Sequence, residues 1–464
     1  MSFADFPSTR QSAYQIVDPE TGELVQSFPY ATDAEIEAAL QGAQAAYLWW
    51  RGRTVAERAE TVRRAGAVLL GRAEELAETM RSEMGKPLAE GIAEIEYCAT
   101  IFDYYADHGP ALAADQELPA RGGAQAVVQS RPIGPLLGVM PWNYPCYQVV
   151  RFAVPNLVLG NTVIVKHAES VPRTADTLEQ IMLEAGLPHG AYRNVFASHG
   201  QIASIIADRR VQGVSLTGSE AAGSAVAALA GRHLKKCVLE LGGSDPFIVL
   251  DSADVAAVAA LAWQTRMDNN GQACTSNKRL LVMDDIHDAF VDALLAQAKA
   301  VDAAKHPPLA SRTAAENLAA QVDDAVAKGA RLLAGGTLAR DGSARYAPAV
   351  LLDVTADMRA HDEELFGPVA VVYRVRDDDH AVEVANSSPY GLGASVFSTD
   401  TDRARRLAER LDAGMVSINS PSADGPELPF GGVKRSGFGR ELGPAGMNEF
   451  ANKRLVYTAA GPNV

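Results

Sequence analysis

"NTVIVKHAE", residues 161–169, sets the frame for the rest of the chain. Four apolar or β-branched residues lead into Lys166, and "TADTLEQIMLEAGLP" (174–188) follows with helical spacing, stopped by Gly186 and Pro188. A continuous apolar strand feeding a helix predicts a buried strand of a parallel sheet. The unit recurs. "GPLLGVMPWNYP" (134–145) is an apolar strand ending in a loop. "VQGVSLTGS" (211–219) is a strand followed by a helix from about Ser219. "KKCVLELGGSDPFIVL" (235–250) holds two strands around Gly242 and Gly243. Strand–helix alternation of this kind implies α/β architecture with right-handed crossovers.

Upstream, 33–115 reads as helical, and "AQAVVQSRPIG" (124–134) changes to strand character. Downstream of 243 the alternation starts again, with a helix ending in "AAVAALAWQTRM" and strands in "FGPVAVVYRV" and "LGASVFST". "KRLVYTAA" at 453 reads as an edge strand, and "AVDAAKHPPLAS" (300–311) as a surface turn. A length of 464 residues is more than one core supports, so two or three domains are expected.

A formal charge of -15 argues against a nucleic-acid partner and against an anionic membrane surface. No basic, then apolar, N-terminal stretch resembles a signal peptide, and no run of about 18 apolar residues suggests a span. Cys98, Cys146, Cys237 and Cys274 fit neither a disulfide framework nor a zinc site, and no metal is expected. A cytoplasmic setting follows as an expectation.

Four stretches carry chemistry. In "NNGQACTSNKR" (269–279), Cys274 sits among small polar residues that let a ligand approach, as a nucleophilic thiol requires. The bland alternative is a buried structural thiol. Glu240 ends an apolar strand before a Gly pair; in an apolar pocket its pKa would rise toward that of a general base, although strand-end glutamates are ordinarily just surface groups. Asn143, between Trp142 and Tyr144 and flanked by Pro141 and Pro145, is either a stiff turn residue or an oxyanion donor. "SLTGSEAAGSAV" (215–226) is glycine-rich at a strand–helix junction but matches neither G-x-G-x-x-G nor a P-loop; a helix N-terminus there can still face a phosphate.

Together and in this order, "PWNYP", "NTVIVK", "VSLTGS", "LELGG", "NGQAC", "ELFGPV" and "PFGGVKRSGFGRE" resemble the aldehyde dehydrogenase superfamily, over nearly the whole chain. "PWNYPCYQVVRFAVPNLVLGN" and "VKHAE" look most like its bacterial NAD(P)-dependent succinate-semialdehyde dehydrogenases. The resemblance implies a Rossmann-type NAD-binding domain (1–115 and 133–242), an α/β catalytic domain (243–430) and a small β oligomerisation arm (116–132 and 445–464) joining two or four copies. It implies Cys274 as nucleophile, Asn143 as oxyanion donor and Glu240 as the base that hydrolyses a thioester. That base favours release of a free acid over acylation of coenzyme A. Cofactor positions carry over onto Pro141, Trp142, Lys166, Glu169, Thr217, Gly218, Ser219, Leu241, Glu364 and Phe366. Substrate positions carry over onto Arg151, Trp142 and Thr275.

Glu169 favours NAD over NADP, because a carboxylate accepts the ribose hydroxyls and repels a 2′-phosphate. Arg151 suits the remote carboxylate of succinate semialdehyde, with a helix–helix ion pair as the alternative. Asp268, Asp424 and Glu427 near the mouth would suit an amino- or other small aldehyde better. A non-catalytic structural protein on this fold would have lost Cys274 or Glu240, and both are present.

Overall fold

The computed structural model describes residues 13–302 and 305–459. Two parallel sheets dominate. In the first, the strands Tyr192–Asn194, Thr162–His167, Pro135–Met140, Gly213–Thr217 and Lys236–Glu240 lie side by side in that order, all parallel. Every residue of Thr162–His167 is buried, the burden of a central strand covered on both faces. Numbered along the chain this is the order 3-2-1-4-5. It reverses between Pro135–Met140 and Gly213–Thr217, and a crevice opens at such a switch point.

In the second sheet, Ala349–Leu352, Val369–Val375, Arg279–Met283, Pro246–Val249, Gly393–Phe397 and Met415–Ile418 are parallel, with Arg331–Ala334 antiparallel at one edge. Only residues 241–245 separate Glu240, at the C-terminal end of a strand of the first sheet, from Pro246, at the N-terminal end of a strand of the second. The seam therefore brings together the loops leaving one sheet and the loops entering the other.

After Ile418 the chain returns to the first unit. Gly437–Phe438 pairs antiparallel with Lys236–Glu240, and Leu442, Met447 and Phe450 join the core beneath. The helices Asp33–Trp50, Val55–Gly71, Ala73–Met84 and Leu88–Leu112 cover that core. Thr32 and Thr54 start the first two through reciprocal bonds with Glu35 and Glu57.

The arm is a three-stranded antiparallel sheet, Gln116–Leu118, Gln125–Pro132 and Ala451–Thr458, with Ala451 opposite Pro132 and Thr458 opposite Gln125. Its outer strand leaves Leu455, Val456 and Tyr457 exposed. Residues 1–12 of the expected first domain and 460–464 of the expected arm lie outside the described residues. Among the described residues no helix is long and apolar enough to cross a membrane.

One expectation is corrected. The segment 300–311, of which 303–304 lie outside the described residues, is not a plain surface turn: Leu309 is fully buried, and Ala310 donates its N–H to Gln272 Oε1 at 2.9 Å. The stretch fills space behind the Cys274 loop, and its two prolines read as surface punctuation only in isolation.

Candidate active site

Cys274 sits in a loop forced into shape. Asn269, Asn270 and Gly271 take successive positive φ angles of 48°, 56° and 72°. Asparagine tolerates that region better than other side chains, and a Cβ on Gly271 would meet the Gly367 carbonyl at 2.4 Å. Buried Arg266 ties the loop down through the carbonyls of Gly271 (3.1 Å), Leu365 (2.8 Å) and Val369 (2.8 Å). Burial pushes the Cys274 thiol up to about 11, with Arg151 and Lys278 pulling the other way.

Asn143 is locked to the same loop. Its Nδ2 donates to the Gln272 carbonyl at 2.9 Å, and its Oδ1 accepts from Gln148 Nε2 at 3.0 Å. Gln148 thereby sets which way the amide faces. The carbonyl of Asn143 accepts from Asn269 Nδ2 at 2.9 Å. Buried Glu94 accepts from the N–H groups of Cys146 and Tyr147, both at 2.9 Å, and so caps the start of the helix Tyr147–Leu159.

Glu240 is buried, and neither carboxylate oxygen has a hydrogen-bond partner among the described residues. Burial raises its pKa well above the carboxylate range, opposed chiefly by Arg151. It follows that the group is poised to hold a proton.

A cavity of about 410 Å³ opens onto Cys274 and Thr275. Tyr147, Phe430 and Met415 give it apolar surface, while Glu90, Asp268 and Asp424 give it an acidic side. Arg151 is the one Lys or Arg on its wall among the described residues, and Glu240 is not part of that wall. The carboxylate-anchor expectation for Arg151 meets a competing partner. Its Nε is in ionic contact with Glu441, its Nη2 donates to Thr217 Oγ1 at 3.1 Å, and its guanidinium lies 4.3 Å from the Phe430 ring centroid. The cation is on the cavity wall, but its charge is already shared. Asp268 and Asp424 are also engaged, accepting from Tyr144 (3.0 Å) and Ser422 (2.6 Å).

The crevice at the strand-order reversal gathers the expected cofactor positions. Pro141 and Trp142 follow Met140, Lys166 and Glu169 lie at and just beyond the end of their strand, and Thr217 ends the strand before Gly218 and Ser219. Ser219 caps the helix Glu220–Arg232. Gly223 packs so closely on Leu241 that a Cβ would meet Leu241 Cδ2 at 2.6 Å, which holds the helix N-terminus close to the sheet. Lys166 lies 3.9 Å from Glu169, whose Oε1 accepts from the Tyr30 hydroxyl at 3.0 Å. Trp142 and Phe366 meet edge to face, 5.8 Å between centroids. A capped helix N-terminus held close to the sheet by Gly223, with a buried lysine two strands away, fits a dinucleotide.

The aldehyde dehydrogenase family model matches residues 6–456. The chain belongs to the aldehyde dehydrogenase family. It is 53% identical to the succinate-semialdehyde dehydrogenase [NADP(+)] of Deinococcus radiodurans, over 96% of this chain and 94% of that protein. It is 43% identical to the enzyme of the same name from Mycolicibacterium paratuberculosis, over 95% and 96% of the two chains. A crystal structure of succinic semialdehyde dehydrogenase from Streptococcus pyogenes in complex with NADP+ superposes with a TM-score of 0.93 at 38% identity, covering 97% of this chain and all of that one.

Several residues of this aldehyde dehydrogenase site escape a reading of motifs. Lys278 and Gln148 sit inside quoted stretches, but nothing in their neighbours marks them. Glu94 lies on a helix whose spacing shows only which face is apolar. Asp245 accepts from the Gly393 N–H at 3.0 Å and is pushed up to about 6 by burial, beside Lys278.

Proposed function

We propose that this aldehyde dehydrogenase oxidises succinate semialdehyde to succinate with NADP. The observation that carries the chemistry is the bond from Asn143 Nδ2 to the Gln272 carbonyl, which sets an amide donor against the peptide two residues before Cys274, while the substrate and cofactor follow the named relatives. The Cys274 thiolate adds to the aldehyde carbon, and the oxyanion accepts from the second Nδ2 hydrogen of Asn143 and from the Cys274 N–H. A nicotinamide cofactor held in the crevice would supply the acceptor for the hydride that leaves that carbon. A thioester on Cys274 remains. Glu240, in its carboxylate form, takes a proton from water as the water attacks the thioester carbon, the C–S bond breaks, and the acid leaves. Lys166 and Glu169 would hold the adenine ribose, Thr217, Gly218 and Ser219 the pyrophosphate, and Glu364 and Phe366 the nicotinamide end, with Pro141, Trp142 and Leu241 lining the path. Thr275 and Arg151 face the substrate. The cofactor unit takes in the returning segment after Ile418, and the second sheet is the catalytic unit. The open edge of Ala451–Thr458 supports assembly into two or four copies through the arm, and four free cysteines support a reducing, cytoplasmic setting.

The named relatives favour succinate semialdehyde and NADP. Arg151 is the group to test for the first. Arg151→Ala is a poor probe, because it strands Glu441 in the interior at a cost of about 3–5 kcal/mol. Arg151→Lys keeps the charge and loses the fork. With NADP, kcat/KM for succinate semialdehyde is expected to exceed that for butyraldehyde and 4-aminobutyraldehyde by about a hundredfold (~2.7 kcal/mol), and Arg151→Lys to cut that lead at least tenfold. A lead for 4-aminobutyraldehyde would instead make Asp268 and Asp424 the selecting groups.

Glu169 favours a second reading, with NAD as the preferred cofactor. Tyr30 and Lys166 both draw on the Glu169 carboxylate, which weakens its repulsion of a 2′-phosphate. Wild-type kcat/KM is therefore expected to be higher with NADP, and Glu169→Gln to raise the NADP:NAD ratio further, by about three- to tenfold. A tenfold wild-type preference for NAD would establish the second reading.

A further inference from the structure

Lys278 stands four residues beyond the nucleophile and is 1% exposed. Its ammonium donates to the carbonyls of Ala273 at 2.8 Å and of Cys274 itself at 2.9 Å. It also lies 3.1 Å from Glu364 Oε1, and that same oxygen accepts the Gly243 N–H at 3.1 Å. Gly243 is pressed against the nucleophile loop in turn, since a Cβ there would lie 2.5 Å from the Cys274 carbonyl. One carboxylate, arriving from the loop before Val369–Val375, thus bridges the cation beneath the thiol and the backbone beside it.

We propose that Lys278 and Glu364 form a relay from the cofactor crevice to Cys274. With the ion pair closed, Glu364 neutralises the buried ammonium and the thiol keeps its proton. With Glu364 drawn away toward the nicotinamide end, the ammonium is left without its counter-charge and stabilises the thiolate. Lys278 is then a positioning residue, holding the loop through two carbonyls and setting the charge beneath the sulfur. The relay rests on the reading of Cys274 as nucleophile and of Glu364 as a nicotinamide-end group.

The other groups acting on the thiol are Arg151 from the helix Tyr147–Leu159, Asp245 from the segment entering the second sheet, and Tyr147. Arg266 and Tyr390 sense Glu364 from its other sides. Arg151 is neutralised by Glu441. Asp245 and Glu364 both oppose the thiolate. Of these, Glu364 is the carboxylate that reaches both Lys278 and the crevice.

The test is iodoacetamide alkylation of the full-length enzyme without cofactor, followed by mass spectrometry on the Cys274 peptide as a function of pH. The thiolate displaces iodide, forming the S–C bond as the C–I bond breaks, so the rate reports the thiolate fraction and needs neither aldehyde nor NADP. Glu364→Gln is expected to raise the rate at pH 7 by about three- to tenfold and to move the profile to lower pH. Lys278→Gln, which keeps a donor for the carbonyls, is expected to lower the rate about tenfold. In the Lys278→Gln background Glu364→Gln should give a smaller rise, because only the direct repulsion of the thiolate by Glu364 is then removed. A Glu364→Gln profile superposing on wild type overturns the relay, and so does a rise of undiminished size in the Lys278→Gln background. If Lys278→Gln fails to fold, the Glu364→Gln profile still decides. A Cys274 no more reactive than the fully buried Cys98 overturns the nucleophile reading and the relay with it. A reactive Cys274 indifferent to Glu364→Gln overturns the relay only.

Discussion

Cys274→Ala is expected to lower kcat/KM by at least about 10⁴-fold, a loss of ~5.4 kcal/mol of transition-state stabilisation. In the proposed reaction the thiol supplies the bond that converts an aldehyde, a poor hydride donor, into a tetrahedral adduct, and no other cysteine is placed to replace it. Cys98 and Cys146 are buried, and burial drives both thiols well above their ordinary range. Cys237 lies on the strand Lys236–Glu240, away from the cavity wall, and is pushed up to about 11. The variant should fold as the wild type does, because the bonds that shape the loop come from the backbone of 271–274 and from Asn269, Arg266 and Lys278. Rapid-mixing measurements should find neither a burst of reduced cofactor nor a steady state, with Tm within ~2 °C of wild type. A surviving burst would assign the nucleophile elsewhere. In the wild type, burial keeps the thiol largely protonated at neutral pH. Raising the pH toward that value increases the thiolate fraction, so the burst rate should climb with pH on the alkaline side.

Glu240→Gln should separate the two halves of the reaction. Loss of a general base costs about 10²–10⁴-fold, and it is expected in the steady state, while a burst of about one reduced cofactor per site remains because acylation does not need this carboxylate. If burst and steady state fell together, Glu240 would not be the deacylating base. Stability should move in the opposite direction. The folded pKa of Glu240 is raised by burial, so folding favours its protonated form. Its contribution to stability is fully present below the unfolded value of about 4.3 and is lost as pH rises toward the folded one. Glutamine, neutral at every pH and of the same shape, avoids that loss. The Tm of Glu240→Gln should therefore exceed that of the wild type at pH 8, and the gap should narrow toward pH 4–5.

Much of this molecule is local, and what is local is legible in the chain. Thr162–Val165 read as part of a central parallel strand because four consecutive apolar or β-branched side chains leave no face for water, and all six residues of Thr162–His167 are buried. Ser219 reads as a helix start because its hydroxyl satisfies an N–H at the first turn. The small polar residues around Cys274 read as room for a ligand. These features depend on neighbours a few positions away, so spacing and residue type are enough to determine them. Pairing across the fold is different. The ionic contact of Arg151 with Glu441, the joining of Lys278 to Glu364, the packing of 307–310 behind the Cys274 loop and the return of Gly437–Phe438 to the first sheet all unite residues distant along the chain. A charged side chain carries no mark of which opposite charge it will meet. That choice is made when the two sheets close on each other, where burial makes an unpaired charge costly and leaves each charge only the partners within reach.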